Sequence, residues 1–410
     1  MKNKALFIYL SLFLFIITIS CSFQTTENDI VSDKIKHNIN CLTLTPGSDE
    51  TQINFSWHSH NKSGTIYIRE DGSDEELEYN AESVFINDVF GYSHKATVID
   101  LKQNAAYFYR ISNGTAKSPE YTITTGDTME FSFFVMGDPQ LTDEKSSVQG
   151  WKKTMNKAVT VFPETSFIIS CGDQVDNPGS ETQYMAYFSP LELKSLPVAQ
   201  TLGNHDVGNA AYDNHFNLPN ANKLNIEYDS VNNQNNYWFT YGKTLFMVLD
   251  SNISAVTPHK KFMEQAIDSN PDCVWKIVIF HEGIYSEGAH HNSIYQVLQR
   301  NAWAPVFDSL DIDVAFSGHD HTYSRTHPMR GQKINSKGIV YFSLNSSSGS
   351  KYYDWYDRQK AFFTAFRSQN QRPQFSKVDV TDHNLTITTY EVMDDGELCM
   401  IDSHIIKKSK

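Results

Sequence analysis

The chain has 410 residues, 48 of them Asp or Glu against 34 Lys or Arg, for a net charge of −14 at pH 7. That balance argues against a nucleic-acid polymer as partner, because phosphate backbones recruit Lys and Arg. The length exceeds one ordinary domain, so two are expected, and five cysteines, an odd number, define no disulfide framework.

The first segment reads as a targeting sequence rather than part of a fold. Lys2 and Lys4 precede an apolar stretch from Ala5 to Ile19, and Ser20-Cys21 supplies small residues at a cut. A basic start, a short apolar core and a small-residue site predict a secretory signal over 1–21. Thr18-Ile19-Ser20-Cys21 resembles a bacterial lipobox, with Thr18 where Leu is usual. That resemblance implies export to the cell envelope, in the periplasm or at the cell surface, with a lipid anchor on Cys21 holding the chain to a membrane. Ordinary cleavage beside an incidental cysteine is the alternative. The apolar stretch is shorter than the about 20 residues that a spanning helix needs. Polar residues over 22–37 then read as a linker.

Residues 38–127 alternate apolar and polar positions in short segments: Cys41–Thr45, Gln52–His58, Gly64–Arg69, His94–Leu101, Ala105–Ile111 and Tyr121–Thr125. Turn formers separate them, including Pro46-Gly47-Ser48, Asp71-Gly72-Ser73 and Asn113-Gly114. Strands at this spacing predict an all-β sandwich. Its histidines, His58, His60 and His94, read as surface or interface residues rather than ligands. The stretch from Ala96 to Arg110 looks like the tyrosine-corner region of fibronectin type III domains. More narrowly, it is similar to the N-terminal domain of purple acid phosphatases, which implies an accessory role.

The remaining residues, 128–410, carry five short polar segments, most of which follow an apolar run. They are Gly137-Asp138-Pro139-Gln140, Gly172-Asp173-Gln174-Val175-Asp176-Asn177, Gly203-Asn204-His205-Asp206, His281, and Gly318-His319-Asp320-His321. The apolar runs Phe131–Met136, Phe167–Ser170, Leu196–Leu202, Val274–Phe280 and Val314–Phe316 read as buried strands. Ser147–Thr160 and Glu181–Leu193 can supply helices between them, so the first three motifs are one strand–helix–strand unit apart. Ligands gather at strand ends in such sheets, which lets distant positions converge on one rim. Carboxylates, an amide oxygen and imidazoles are donors for hard and borderline divalent ions. Phe375–Val380, Asn384–Glu391 and Gly396–Ile406 predict further strands closing a sheet. Cys171, inside an apolar run, reads as a small buried residue.

As an ordered set, these motifs resemble those of the calcineurin-like metallophosphoesterases, a family of two-metal phosphoester hydrolases. The resemblance covers nearly all of 128–410 and implies an αββα sandwich with the ions at one edge. The chain as a whole is then α+β, a β-sandwich followed by the αββα domain. By the same resemblance Asp173 would bridge two divalent metal ions. Asp138, Gln140 and His321 would complete the first site, and Asn204, His281 and His319 the second. Two ions about 3.5–4 Å apart supply the hydroxide and the charge screening that in-line attack on phosphorus needs. His205 would protonate the leaving oxygen, since imidazole is suited to proton transfer near neutrality. Asp206 would orient it through the other ring nitrogen.

Two departures from the purple acid phosphatase pattern stand out. Asp176 occupies the position where those enzymes carry a tyrosine, so the purple ferric–tyrosinate colour is not expected. Gln140 stands where many relatives have histidine, which shifts the first site toward harder ions such as Mn, Mg or Fe²⁺, with Zn still open. The sequence as a whole leans toward a bacterial relative of that branch. His290, His291 and Tyr285 are candidates for holding a small phosphoester substrate, and His215 and Tyr323 for the rim. Acid-phosphatase-like monoester hydrolysis is the leading reading. A phosphodiesterase acting on a small nucleotide or lipid diester is the alternative within enzymes, and a non-catalytic cell-surface binding protein the alternative outside them.

Overall fold

The structure is a computed structural model that describes residues 39–86, 88–222 and 236–408. The expected signal over 1–21, the Cys21 anchor and the linker over 22–37 lie outside the described residues. Among the described residues, no helix is long and apolar enough to cross a membrane.

The N-terminal part contains β1 (Asn40–Pro46), β2 (Ile53–Ser59), β3 (Thr65–Glu70), β4 (Leu77–Asn80), β5 (Glu82–Phe85), β6 (Tyr92–Val98), β7 (Ala106–Ser112) and β8 (Tyr121–Thr124). They form two four-stranded sheets, ordered β1-β2-β6-β5 and β4-β3-β7-β8. Leu44, Phe55, Trp57, Ile66, Tyr109 and Ile111 alternate inward and fill the space between the sheets. Sequence patterning missed β4 and β5. Their residues are mostly exposed, so no apolar alternation marks them. The Tyr107 hydroxyl accepts the Lys102 N–H at 2.8 Å, the contact of a tyrosine corner.

The second part adds β9 (Phe131–Met136), α1 (Lys145–Val161), β10 (Phe167–Ser170), α2 (Glu181–Tyr187), β11 (Val198–Gln200), α3 (Ala211–His215), β12 (Tyr237–Tyr241) and β13 (Thr244–Val248). It continues through α4 (Val256–Ser269), β14 (Trp275–Glu282), α5 (Ile294–Ser309), β15 (Val314–Gly318) and β16 (Tyr323–Thr326). A small ribbon, β17 (Met329–Arg330) and β18 (Lys333–Ile334), leads to β19 (Val340–Ser343), β20 (Thr364–Ser368), β21 (Gln374–Val380), β22 (Asn384–Val392) and β23 (Leu398–Lys407). A six-stranded sheet runs β11-β10-β9-β21-β22-β23 and a seven-stranded one β12-β13-β14-β15-β19-β16-β20. Phe133 and Phe167 of the first sheet pack edge-on against Phe246 of the second, with ring centroids 5.2 and 5.3 Å away. Such aromatic pairs add about 0.5–1.5 kcal/mol each beyond area burial.

Helix α1 forms because Ser147, Trp151, Thr154, Met155 and Ala158 fall on one buried stripe. Trp151 closes it down, stacking on Tyr187 and donating its indole N–H to the Tyr187 carbonyl at 2.9 Å. The helix expected over Glu181–Leu193 stops at Tyr187. Pro190 lacks an N–H and disfavours helix in the residue before it, so the chain restarts as a short 3₁₀ turn, Leu191–Lys194.

The two parts share a hydrogen-bonded seam. The His58 Nε2–H and the Ser93 hydroxyl both donate to the Asn214 carbonyl, at 3.0 and 2.6 Å. Tyr109 donates to the Lys194 carbonyl at 2.7 Å, and Asn54 to that of Asn217 at 2.9 Å. His58 is therefore buried at the seam and His60 is exposed, whereas His94 is corrected from a surface or interface residue to one buried within the N-terminal part, its ring held by Ser59 and Ser83.

Burial holds four neutral imidazoles far below their usual range, His58 and His215 at about 3, and His94 and His259 at about 4. The unfolded chain takes up these protons near 6.5. Stability is then complete above pH 6.5 and falls as pH drops toward 3–4. The thermal unfolding midpoint is expected to decline steadily from pH 6.5 to 4. A flat profile would mean that the folded rings accept protons freely.

Candidate metal centre

Each motif sits where a strand of the two sheets ends. Asp138 follows β9, Asp173 follows β10, Asn204 follows β11, His281 lies at the end of β14, and His319 and His321 follow β15. Five of the residues turn there on left-handed backbone: Asp138 (φ 37°), Gln140 (φ 36°), Asp173 (φ 50°), His319 (φ 70°) and His321 (φ 45°). Leaving the extended strand conformation this abruptly aims the side chains back across the sheet ends.

The resulting cluster is buried and tight. Asp138 accepts the His319 N–H on both carboxylate oxygens, at 2.9 and 3.0 Å. Asp173 Oδ1 accepts the His205 N–H at 2.8 Å, and its Oδ2 lies 3.3 Å from His281 Nε2. Asn204 Oδ1 is 2.9 Å from both His281 Nε2 and His319 Nδ1. His321 Nε2 lies 3.7 Å from Asp138 Oδ1. Asp138, Asp173 and His281 each present one donor atom within 4.8 Å of the other two. The motif glycines make this approach possible. A Cβ on Gly172 would collide with the His281 ring, one on Gly203 with Asp173, and one on Gly318 with the Asp138 carboxylate.

Three features show that these residues fit a metal. His281 donates from Nδ1 to the Cys171 carbonyl and His321 from Nδ1 to the Lys351 carbonyl, both at 2.9 Å, which turns each Nε2 into the cluster. Gln140 donates its amide N–H to Asp176 Oδ1 at 2.9 Å, so its oxygen is the free end. That oxygen is buried and has no hydrogen-bond partner among the described residues, a costly state unless a cation uses it. The donor set, carboxylates, amide oxygens and imidazoles, suits divalent ions from Mg²⁺ to Zn²⁺.

The electrostatics agree. Burial pushes the Asp138 carboxyl up to about 8, with the Asp173 charge adding to it. Burial alone would raise Asp173 as well, but His281 and His205 hold it at about 2. Burial opposes charge on His281, yet the two carboxylates push its proton affinity well above normal. His319 and His321 stay neutral, held by burial at about 3 and about 4. The carboxylates thus draw positive charge to His281, while His319 and His321 keep their lone pairs free.

His205 lies at the edge, with about a third of its side chain exposed. Its Nδ1 donates to the Asp176 carbonyl at 2.7 Å, with the Asp176 carboxylate 3.6 Å away. Asp206 does not touch the ring, contrary to the sequence expectation. It is fully buried, and its two oxygens accept the Gln174 and Gly203 N–H groups at 3.1 and 2.9 Å. It shapes the loops, and Asp176 holds the histidine.

The substrate-side candidates separate. His290 stands beside the cluster, its ring 4.5 Å from that of His319 and its Nδ1 2.8 Å from Asp320. His291 instead turns inward, donating from Nδ1 to the Ser286 carbonyl at 2.6 Å. Tyr285 is buried against Tyr341 and Phe363, and so is corrected to a core residue. His215 is buried at the seam, and Tyr323 is buried with its hydroxyl on Asp402. Sequence reasoning missed the serine-rich loop after β19. Ser346 and Ser350 donate to the Asp138 and Pro139 carbonyls at 2.9 and 3.3 Å and fix the first motif. The run from Asn345 to Ser350, following an apolar strand as the other motifs do, was the available signal.

Both parts of the chain match known families. Residues 131–323 match the calcineurin-like phosphoesterase family, and residues 39–125 match the purple acid phosphatase N-terminal domain. The chain thus carries a calcineurin-like phosphoesterase domain preceded by a purple acid phosphatase N-terminal domain. It is 21% identical over 290 residues to a purple acid phosphatase of Glycine max, covering 65% of this chain and 60% of that protein. To the Fe(3+)-Zn(2+) purple acid phosphatase 12 of Arabidopsis thaliana it is 22% identical over 304 residues, covering 69% and 64%. A solved purple acid phosphatase from yellow lupin (Lupinus luteus) seeds shares the fold, with a TM-score of 0.74 at 16% identity, over 90% of this chain and 74% of that one. The chain spans less than two thirds of the length of these curated relatives.

Proposed function

We propose that this chain is a binuclear metal-dependent phosphomonoesterase of the acid-phosphatase type. The observation that carries the reading is the buried cluster at the strand ends, with a partly exposed imidazole beside it. Asp138, Gln140 and His321 would hold one ion, Asn204, His281 and His319 the other, and Asp173 would be shared. A bound pair of divalent ions supplies Lewis-acid screening of a phosphoryl group and an activated water. The chain's own residues do the rest. His205 gives its proton to the leaving oxygen from Nε2, since the Asp176 carbonyl fixes Nδ1 as the other N–H. His290, held by Asp320, offers a donor to the phosphoryl oxygens at the open side.

Asp176 in place of a tyrosine removes the phenolate that would stabilise ferric iron, and the Gln140 oxygen favours Mn²⁺, Mg²⁺ or Fe²⁺ at the first position. The Arabidopsis relative's Fe(3+)-Zn(2+) pair makes zinc a candidate for the second. The basic-apolar-small pattern over 1–21 supports an exported enzyme, lipid-anchored at Cys21 and acting in the cell envelope. The test is a panel of phosphomonoesters and phosphodiesters assayed with Mn²⁺, Zn²⁺ and Fe²⁺. Faster turnover of monoesters by a colourless protein is the expected result. A preference for diesters would move the reading to a phosphodiesterase, and a strong visible band would show a ferric–tyrosinate pair built from another tyrosine.

A further inference from the structure

A second cluster of metal-ligating side chains lies in the seam between the two domains, away from the strand-end cluster. Cys41 comes from β1, His58 from β2, Glu181 from the first turn of α2, and His215 from the end of α3. One donor atom of each lies within 4.8 Å of one donor atom of every other. Both histidines are fully buried and Cys41 is buried with a free thiol.

The hydrogen bonds leave a gap in this cluster. His58 donates from Nε2 to the Asn214 carbonyl at 3.0 Å, and His215 from Nε2 to Glu181 Oε2 at 2.8 Å. Each neutral ring therefore carries its lone pair on Nδ1. Neither Nδ1 has a hydrogen-bond partner among the described residues, and both are buried. An unmet buried acceptor costs about 1–3 kcal/mol, and here two such acceptors sit beside a thiol and a carboxylate. Phe90, Tyr184 and Phe188 wall the cluster, with rings 4.2–5.3 Å from the imidazoles.

We propose that Cys41, His58, Glu181 and His215 form a zinc site that ties the N-terminal domain to the phosphoesterase domain. One thiolate, one carboxylate and two imidazoles are the donors and the number that a structural Zn²⁺ takes. The charges balance, because a divalent ion with one thiolate and one carboxylate buries no net charge. Binding releases the Cys41 proton to solvent. The two rings lie face to face with centroids 4.2 Å apart. Two ligands come from each domain, and the ion acts as a cross-domain staple.

Full-length protein loaded with Co²⁺ is the direct probe, since a cobalt–thiolate bond gives a near-ultraviolet charge-transfer band. That band is expected in the native sequence and absent in Cys41→Ser. Elemental analysis after zinc loading and desalting is expected to find three ions per chain, and two in Cys41→Ser or His58→Gln. Asp173→Asn should lower the strand-end ions and leave the thiolate band, so failure at one cluster is distinguishable from failure at the other. A native chain with no band and no third ion overturns the proposal without requiring any variant to fold. A band that persists in Cys41→Ser overturns it equally.

Discussion

Asp173→Asn is expected to lose about 10²-fold or more in turnover, together with at least one bound ion. The loss corresponds to several kcal/mol of charge stabilisation, at 1.36 kcal/mol per factor of ten. Asp173 is almost wholly buried, with one oxygen on the His205 N–H and the other facing His281. Asn keeps the shape but offers one oxygen and an NH₂, which cannot share two cations. Because the change is nearly isosteric, the fold should survive and the loss should be read at the site. Turnover and elemental analysis of the same preparation are the measurement. Two ions retained at full activity would remove Asp173 as the shared ligand.

His205→Ala should separate proton donation from metal binding. The ring touches Asp176 rather than any of the proposed ligands, and only its backbone N–H reaches Asp173. Metal content should therefore stay nearly intact. Esters of poor leaving groups need a proton and should slow by about 10²–10⁴-fold, whereas nitrophenyl esters, which depart unaided, should slow far less. An equal loss on both substrates, or loss of an ion with the ring, would return His205 to a structural or ligand role. The Asp176 backbone carbonyl fixes the tautomer that presents this proton.

The sequence carried much of the fold in its buried strands. Phe131–Met136 and Phe167–Ser170 are almost wholly apolar and lead into Gly-Asp, so both their extent and their chemistry were visible. Asp138, Asp173, Asn204, His281, His319 and His321 meet where strand ends of the two sheets come together, because each follows or ends such a strand. What stayed hidden depends on contacts distant in sequence. Asp206, adjacent to His205, looks like its natural partner, yet the loop turns it onto the Gly203 and Gln174 N–H groups, and Asp176 reaches the ring from another motif. Tyr285 and His291 follow His281 closely, but their places were decided by Phe363, Tyr341 and Ser286. The edge strands β4 and β5 bury too little to leave a periodic trace.

The left-handed backbone at Asp138, Gln140, Asp173, His319 and His321 also has a cost in stability. A non-glycine residue in that region costs about 1–2 kcal/mol. Five of them together cost about 5–10 kcal/mol, comparable to the about 5–15 kcal/mol by which a whole domain is stable. The neighbouring loops therefore hold the site open against its own local preference. Glycine at 140 or 321 would relax the backbone and delete a donor in one step. Keeping a donor side chain at each of them trades stability for ligation.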